Sequence, residues 1–142
     1  MKEQNFKNHA QMVTGFHYVT FLGIFALIGG SLNYFFRATP ENKYLASLIV
    51  LVSFLFVLVA WYLRAFALKA QDRAIRAEES LRYYVMTGNL FPASIKIQQI
   101  IALRFASDAE FVALVDRAVK ENLSNKEIKL AIQNWKADWY RV

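Results

Sequence analysis

The sequence predicts an all-α membrane protein: a transmembrane helical hairpin whose second helix continues as a cytoplasmic stalk, followed by a small three-helix module. Three observations carry that expectation. No Lys, Arg, Asp or Glu lies between Lys7 and Arg37. Residues 44–63 form a second uncharged run, broken only by Ser47 and Ser53. No Gly or Pro interrupts 44–87, although the chain turns basic and mixed-charge from Arg64 onward. Each run reaches the ~20 apolar residues that cross a hydrocarbon core of ~30 Å. Hydrophobic residues make up 56% of the 142, above the usual soluble share, which favours two spans over one small soluble domain.

In chain order, residues 1–13 (MKEQNFKNHAQMV) are polar, with Phe6, Ala10 and Val13 at helical spacing. They predict a short amphipathic segment lying on the membrane surface or against the stalk. The hairpin covers 14–68, with spans at 14–36 and 44–63. Tyr18 marks entry to the first span and Tyr34, Phe35 and Phe36 its exit, as an aromatic belt would. Gly23, Ala26, Gly30 and Asn33 share one face of it, and small residues let helix backbones approach closely in lipid. The turn, 37–43, contains Pro40 and is short enough to join only antiparallel neighbours.

The second span leaves through Trp61 and Tyr62 to Arg64, with Lys69, Arg73 and Arg76 following. These six are the expected membrane-interface residues, the basic ones near anionic headgroups. Residues 64–87 form the stalk, supported by acid-before-base pairs Asp72–Arg76 and Glu78–Arg82 at i,i+4. At ~1.5 Å per residue the combined helix would be about 66 Å long. Gly88–Asn89 supplies its C-cap and Pro92 its stop. One heptad seam runs through both halves. Ala46, Ser53, Ala60, Ala67, Ala74 and Leu81 sit seven apart; Ile49, Phe56, Leu63, Ala70, Ala77 and Tyr84 follow each by three. The small residues of both spans and of the seam are the expected helix-packing positions. The seam serves either packing within one chain or a coiled coil between chains.

Residues 93–142 predict three helices. The first covers about 94–105, with Ile97, Ile100, Ile101 and Phe105 inward. The second starts at Ser107, where Ser-Asp-Ala-Glu is a capping box. The third starts at Ser124 with the same device, and carries Ile128, Ile132, Trp135 and Trp139 on one face. About 50 residues are marginal alone, so the module is expected to pack on the stalk's Ala-rich side or on another protein.

Seven basic residues (Lys2, Lys7, Arg64, Lys69, Arg73, Arg76, Arg82) flank the open side of the hairpin, against Arg37 and Lys43 in its turn. That bias places both termini in the cytoplasm. The first apolar run is longer than a signal-peptide core and no A-x-A site follows it, so cleavage is not expected.

The chemistry is mostly negative. With no cysteine there is no disulfide, thiol nucleophile or Cys-ligated metal. His9 and His17 are eight apart, about 80° around a helix, a poor shared ligand face. Glu78 and Glu79 are adjacent and point apart, as solvated stalk charge. Neither a zincin, serine-hydrolase, dinucleotide nor P-loop pattern occurs. The net charge of +6 concentrates beside the second span, where it sets topology and is no signature of nucleic-acid binding. Lys126, Lys129 and Lys136 suit a solvated or membrane-facing surface better than a helix-turn-helix. No cofactor, metal or small-molecule substrate is expected.

The segments QNFKNHA (4–10), GFHYVT (15–20), RAIRAEESLRY (73–83), IIALRFASDAEF (100–111) and RAVKENLSNKEIKLAIQNWKADWYRV (117–142) resemble a bacterial family of small two-span membrane proteins catalogued as a domain of unknown function. The resemblance covers nearly the whole chain. It implies a bacterial membrane location, expected here to be the inner membrane, and transfers no activity or functional residue. The expectation is therefore a non-catalytic protein that anchors, scaffolds or serves as an accessory subunit. Its partners would be the lipid bilayer and either further copies of itself or another membrane protein. The alternative is a homo-oligomeric channel, against which stands the lack of any ionisable residue in either span.

Overall fold

The computed structural model describes residues 4–9 and 12–138. Its regular secondary structure is helical, with five α-helices among the described residues: α1 (Phe21–Arg37), α2 (Lys43–Thr87), α3 (Ile97–Leu103), α4 (Asp108–Lys120) and α5 (Asn125–Ala131). A π-helical turn, Gly15–Thr20, precedes α1, and a single 3₁₀ turn, Pro40–Asn42, leads into α2. Two helical stretches, Gly15–Arg37 and Pro40–Thr87, are long and apolar enough to cross a membrane. Only 6% and 17% of their most apolar windows is buried. Two compact units result, one of residues 12–67 and one that joins the N-terminal residues to 68–138.

In the first unit, α1 and the start of α2 meet at two hydroxyls. Ser31 Oγ donates to Ile28 O at 3.0 Å and lies 3.4 Å from Ser53 Oγ, which donates to Val50 O at 2.7 Å. Buried positions recur every seventh residue on both helices: Ile24 and Ser31 on one, Ala46, Ser53 and Ala60 on the other. With Ser31 opposite Ser53 in an antiparallel pair, Ile24 falls opposite Ala60. At the turn, Lys43 Nζ donates to Phe35 O at 2.7 Å and lies 4.5 Å over the Phe35 ring, so a terminal carbonyl of α1 is satisfied by the next helix.

The second unit holds the hydrophobic core. α3 lies at its centre, with Gln99, Ile100, Ile101, Ala102 and Leu103 all buried in succession, the pattern of a helix enclosed on every side. Around it pack Tyr83 of α2, Phe111, Leu114, Val115 and Ala118 of α4, and Ile128 of α5. Gln99 is the polar member. Its Nε2 donates to Ala118 O at 3.1 Å and Leu123 O at 2.9 Å, and its Oε1 accepts from Lys96 N at 2.8 Å. One amide thus satisfies the start of α3 and the end of α4. Gln99→Leu should destabilise this unit by about 1–3 kcal/mol in a denaturant titration, because the freed carbonyls stay buried.

Three local expectations are corrected. The third helix stops at Ala131 and does not carry Trp135 on a helical face. Beyond it the chain runs extended beside 105–107: Ser107 N donates to Asn134 O at 3.0 Å and Lys136 N to Phe105 O at 2.7 Å, with an Ala106–Trp135 bridge between. Trp139 lies outside the described residues. The cause is Glu110, whose carboxylate accepts from Gln133 N and Asn134 N at 3.0 and 2.9 Å. Those backbone groups are drawn out of any helical ladder, and Glu110 is no longer available to a capping box. Ser107 accordingly makes no side-chain cap, and its buried Oγ has no hydrogen-bond partner among the described residues. At Ser124 the box does form, through Glu127 N to Ser124 Oγ at 3.3 Å and Ser124 N to Glu127 Oε2 at 2.7 Å. Finally, 4–9 does not follow the helical spacing of its apolar residues but forms a turn, closed by Asn5 N to Asn8 Oδ1 at 2.6 Å and Lys7 N to Asn5 Oδ1 at 2.9 Å. Ala10 lies outside the described residues and Val13 is exposed. The end of α2 meets expectation: Gly88 sits at φ 71°, where a Cβ would be strained, and its N donates to Tyr84 O.

Candidate packing and assembly site

The expected packing residues divide cleanly. Ala46, Ser53 and Ala60 are buried. Gly23, Ala26, Gly30 and Asn33 are exposed, and a Cβ at either glycine would meet nothing within 4 Å. Within one chain the contact face of α1 is therefore the Ile24–Ser31 row, one residue round from the small stripe. Ser31 was missed by sequence reasoning. The available signal was polarity: Ser31 and Ser53 are hydroxyls in otherwise apolar stretches, and hydroxyls in such surroundings find one another across a helix pair.

Farther along α2 the seam residues lie open among the described residues. Ala67, Ala70, Ala74 and Ala77 are exposed, whereas Ile75, Glu79 and Tyr83, four apart, are buried. A seven-residue repeat drifts ~20° per heptad on a straight helix, so the row beginning at Ala46 has turned by roughly 100° at Leu81. Of the expected interface residues, Trp61 and Tyr62 stand exposed at 71% and 54%. Lys69, Arg73 and Arg76 are also exposed, and Arg64 is half-buried. Next to them Leu55, Leu58, Val59, Leu63 and Phe66 complete a wholly apolar concave surface with Tyr62.

Arg82 is the hub of the second unit. Its guanidinium donates to Glu79 Oε2 at 2.9 Å, to Asp108 Oδ1 at 2.6 and 2.8 Å, and to Ala106 O at 2.7 Å, and lies 4.0 Å over the Phe111 ring. The expected Glu78–Arg82 pair does not form; Glu79, only 6% exposed, takes that place while Glu78 is exposed. Nor does Asp72 pair with Arg76 among the described residues. Glu79 is thus not solvated surface charge. Its burial comes from the same face of α2 that carries Ile75 and Tyr83.

The Arg82 hydrogen bond and charge hold the Asp108 carboxyl below its ordinary value of 3.8. A depressed carboxylate stabilises the fold above its unfolded pKa and loses that contribution as pH falls through its folded one. Wild type and Asp108→Asn should therefore differ in unfolding midpoint at neutral pH, and the gap should close below about pH 4. A gap that persists in acid would place the stabilisation elsewhere.

A second cluster ties the N-terminal turn to the C-terminal segment. Gln4, only 4% exposed, accepts from Asp138 N at 2.7 Å through Oε1, and its Nε2 lies 3.5 Å from Asp138 O. The His9 ring meets Phe105 edge-on at 5.7 Å, Trp135 at 5.9 Å and Phe6 at 5.8 Å. His9 Nδ1 lies 2.8 Å from Phe6 O and Nε2 lies 3.1 Å from Lys129 Nζ. Both contacts are met by one tautomer, with the proton on Nδ1 and the Nε2 lone pair accepting from the ammonium. Arg104 Nε lies 3.0 Å from Asp138 Oδ2, with the guanidinium 4.3 Å over Phe105. His17 is engaged locally instead, by the backbone of Val13 at 3.0 and 3.1 Å. Among the described residues no three His, Asp or Glu side chains are grouped to hold a metal ion.

These features define an all-helical protein that joins two long apolar helices to a compact helical unit closed by its own N-terminal turn. The chain belongs to the family of unknown function DUF6526, whose match extends over residues 1–142. No curated protein and no solved structure matches it.

Proposed function

We propose that this protein is a non-catalytic anchor or scaffold of the bacterial inner membrane. α1 and the first half of α2 cross the bilayer as a hairpin, both termini are cytoplasmic, and the remainder of α2 continues as a stalk that carries the compact unit. The observation behind this reading is the contrast in exposure between the two units. Leu22, Phe25 and Phe36 of α1 are exposed at 73%, 69% and 76%, whereas Leu103, Phe105 and Phe111 in the second unit are fully buried. Apolar surface left open along both helices needs an apolar solvent. Trp61 and Tyr62, followed by Arg64, Lys69, Arg73 and Arg76, supply the aromatic and basic edge of a cytoplasmic boundary. Alkaline extraction of membranes from expressing cells tests insertion, and reporters at residue 39 and after residue 142 test orientation. Release into the alkaline supernatant overturns the reading; a cytoplasmic signal from residue 39 overturns the topology.

The exposed Gly23, Ala26, Gly30 and Asn33 face favours a second reading, a homo-oligomeric channel in which these stripes pack between copies. Reconstitution into planar bilayers distinguishes the two. Conductance supports the channel, and silence under voltage and tension removes it.

A further inference from the structure

We infer that the charged half of α2 pairs with the same helix of a second copy, in parallel and in register, through Ala70, Ala74, Ala77, Leu81 and Tyr84. These residues alternate as positions d and a of one heptad frame, and every one is exposed. Leu81 and Tyr84 stand open at 64% and 52%, beside Val85 at 75%, on a stretch whose other exposed side chains are largely charged. The covered and open faces are reversed relative to a solvated helix. Ile75, Glu79 and Tyr83, which the chain itself buries, occupy the b, f and c positions that a coiled coil turns to water. The a and d positions, which a coiled coil buries, are the ones left open.

The flanking charges select the partner. Arg73 is at g and Glu78 at e, five residues apart. Helical neighbours lie three or four apart, so these two cannot meet within one helix. Both are exposed, and neither joins an ion pair among the described residues. In a parallel, in-register pair the g residue of one helix faces the e residue of the next heptad of the other, which sets Arg73 against Glu78 of the second copy twice by symmetry. An antiparallel pair would match g with g and e with e, and offers no such complement. Small residues at a and d allow close approach, and Leu81 and Tyr84 supply the larger contacts at one end. The inference deepens the scaffold reading by naming the partner as a second copy, and rests on that reading only for the shared direction of the two helices.

The cysteine-free sequence allows a direct test in the full chain within native membranes. Single variants Ala74→Cys and Ala77→Cys place thiols on the seam, while Lys69→Cys and Arg76→Cys place them off it at exposed positions. Under mild oxidation the seam variants should yield several-fold more disulfide-linked dimer than the off-seam variants. In the Ala74→Cys background, Glu78→Arg should lower the yield several-fold, and adding Arg73→Glu should restore it. Equal yields at all four positions, no dimer at any, or an adduct with a different protein in place of the dimer overturns the proposal. Failure of the double charge swap to restore yield overturns the parallel register. Alkaline extraction of the same variants reports membrane insertion separately, so loss of pairing and loss of the membrane reading are distinct results.

Discussion

Arg82→Met is expected to destabilise the unit formed by the N-terminal turn and residues 68–138 by about 3–5 kcal/mol, because it strands a buried carboxylate. The Glu79 side chain is 8% exposed and its 2.9 Å partner is Arg82 Nη1, itself 12% exposed. Without the guanidinium, Glu79 keeps its desolvation cost and loses the compensating charge. The substitution also frees Ala106 O and removes the cation from the face of Phe111. The Asp108 contact adds little to this sum, since that carboxylate is 75% exposed and well screened. Pulse proteolysis of the full chain across a urea series would measure the loss. The double variant Glu79→Gln, Arg82→Met should recover part of it, because removing both charges leaves no orphan. Glu78→Gln should be close to neutral. A large effect at Glu78 and a small one at Glu79 would restore the i,i+4 pairing that spacing alone predicts.

That pair shows what local pattern can and cannot convey. Spacing identifies which residues share a helical face, so the helices themselves, the stop at Gly88 and the cap at Ser124 follow from sequence. Which face is buried depends on what arrives from elsewhere in the chain. Glu79 rather than Glu78 is paired because Ile75 and Tyr83 set the buried row of α2. The capping box at Ser107 has the right residues, yet Glu110 binds backbone 23 and 24 residues away. The Ser124 box keeps its glutamate, and its Ser124 bond holds the Glu127 carboxyl below its ordinary range. Of the candidate site, Ala46, Ser53 and Ala60 were legible because they lie closest to the hairpin turn, where register is fixed and heptad drift is small. From Ala67 onward the same rule picks residues that face outward. The N-terminal turn was illegible for a different reason. Its partners, Lys129, Trp135 and Asp138, are more than a hundred positions away, and no periodicity in 4–9 points to them.

Phe105→Ala is expected to cost about 3–5 kcal/mol, and to do something that another large core truncation does not. The Phe105 ring is fully buried in the core. It packs on Trp135 at 5.1 Å, receives the edge of His9 at 5.7 Å, and lies beneath the Arg104 guanidinium at 4.3 Å. Its carbonyl accepts the Lys136 N–H that holds the C-terminal segment in place. Truncation therefore removes core volume and, at the same time, the surface on which the N-terminal turn and the Trp135 segment rest. Phe111→Ala is the matched comparison: it is fully buried too, but its ring contacts are Tyr83, Phe91 and Arg82. Both variants should lose stability of the same order. Hydrogen exchange under native conditions should separate them. The amide of Asp138, which donates to Gln4, and that of Lys136 should exchange faster than wild type in Phe105→Ala and remain protected to near the global limit in Phe111→Ala. Equal loss of protection in both would mean that the two ends of the unit open only with the whole core, and that His9, Phe105 and Trp135 form part of one cooperative body rather than a separable clasp.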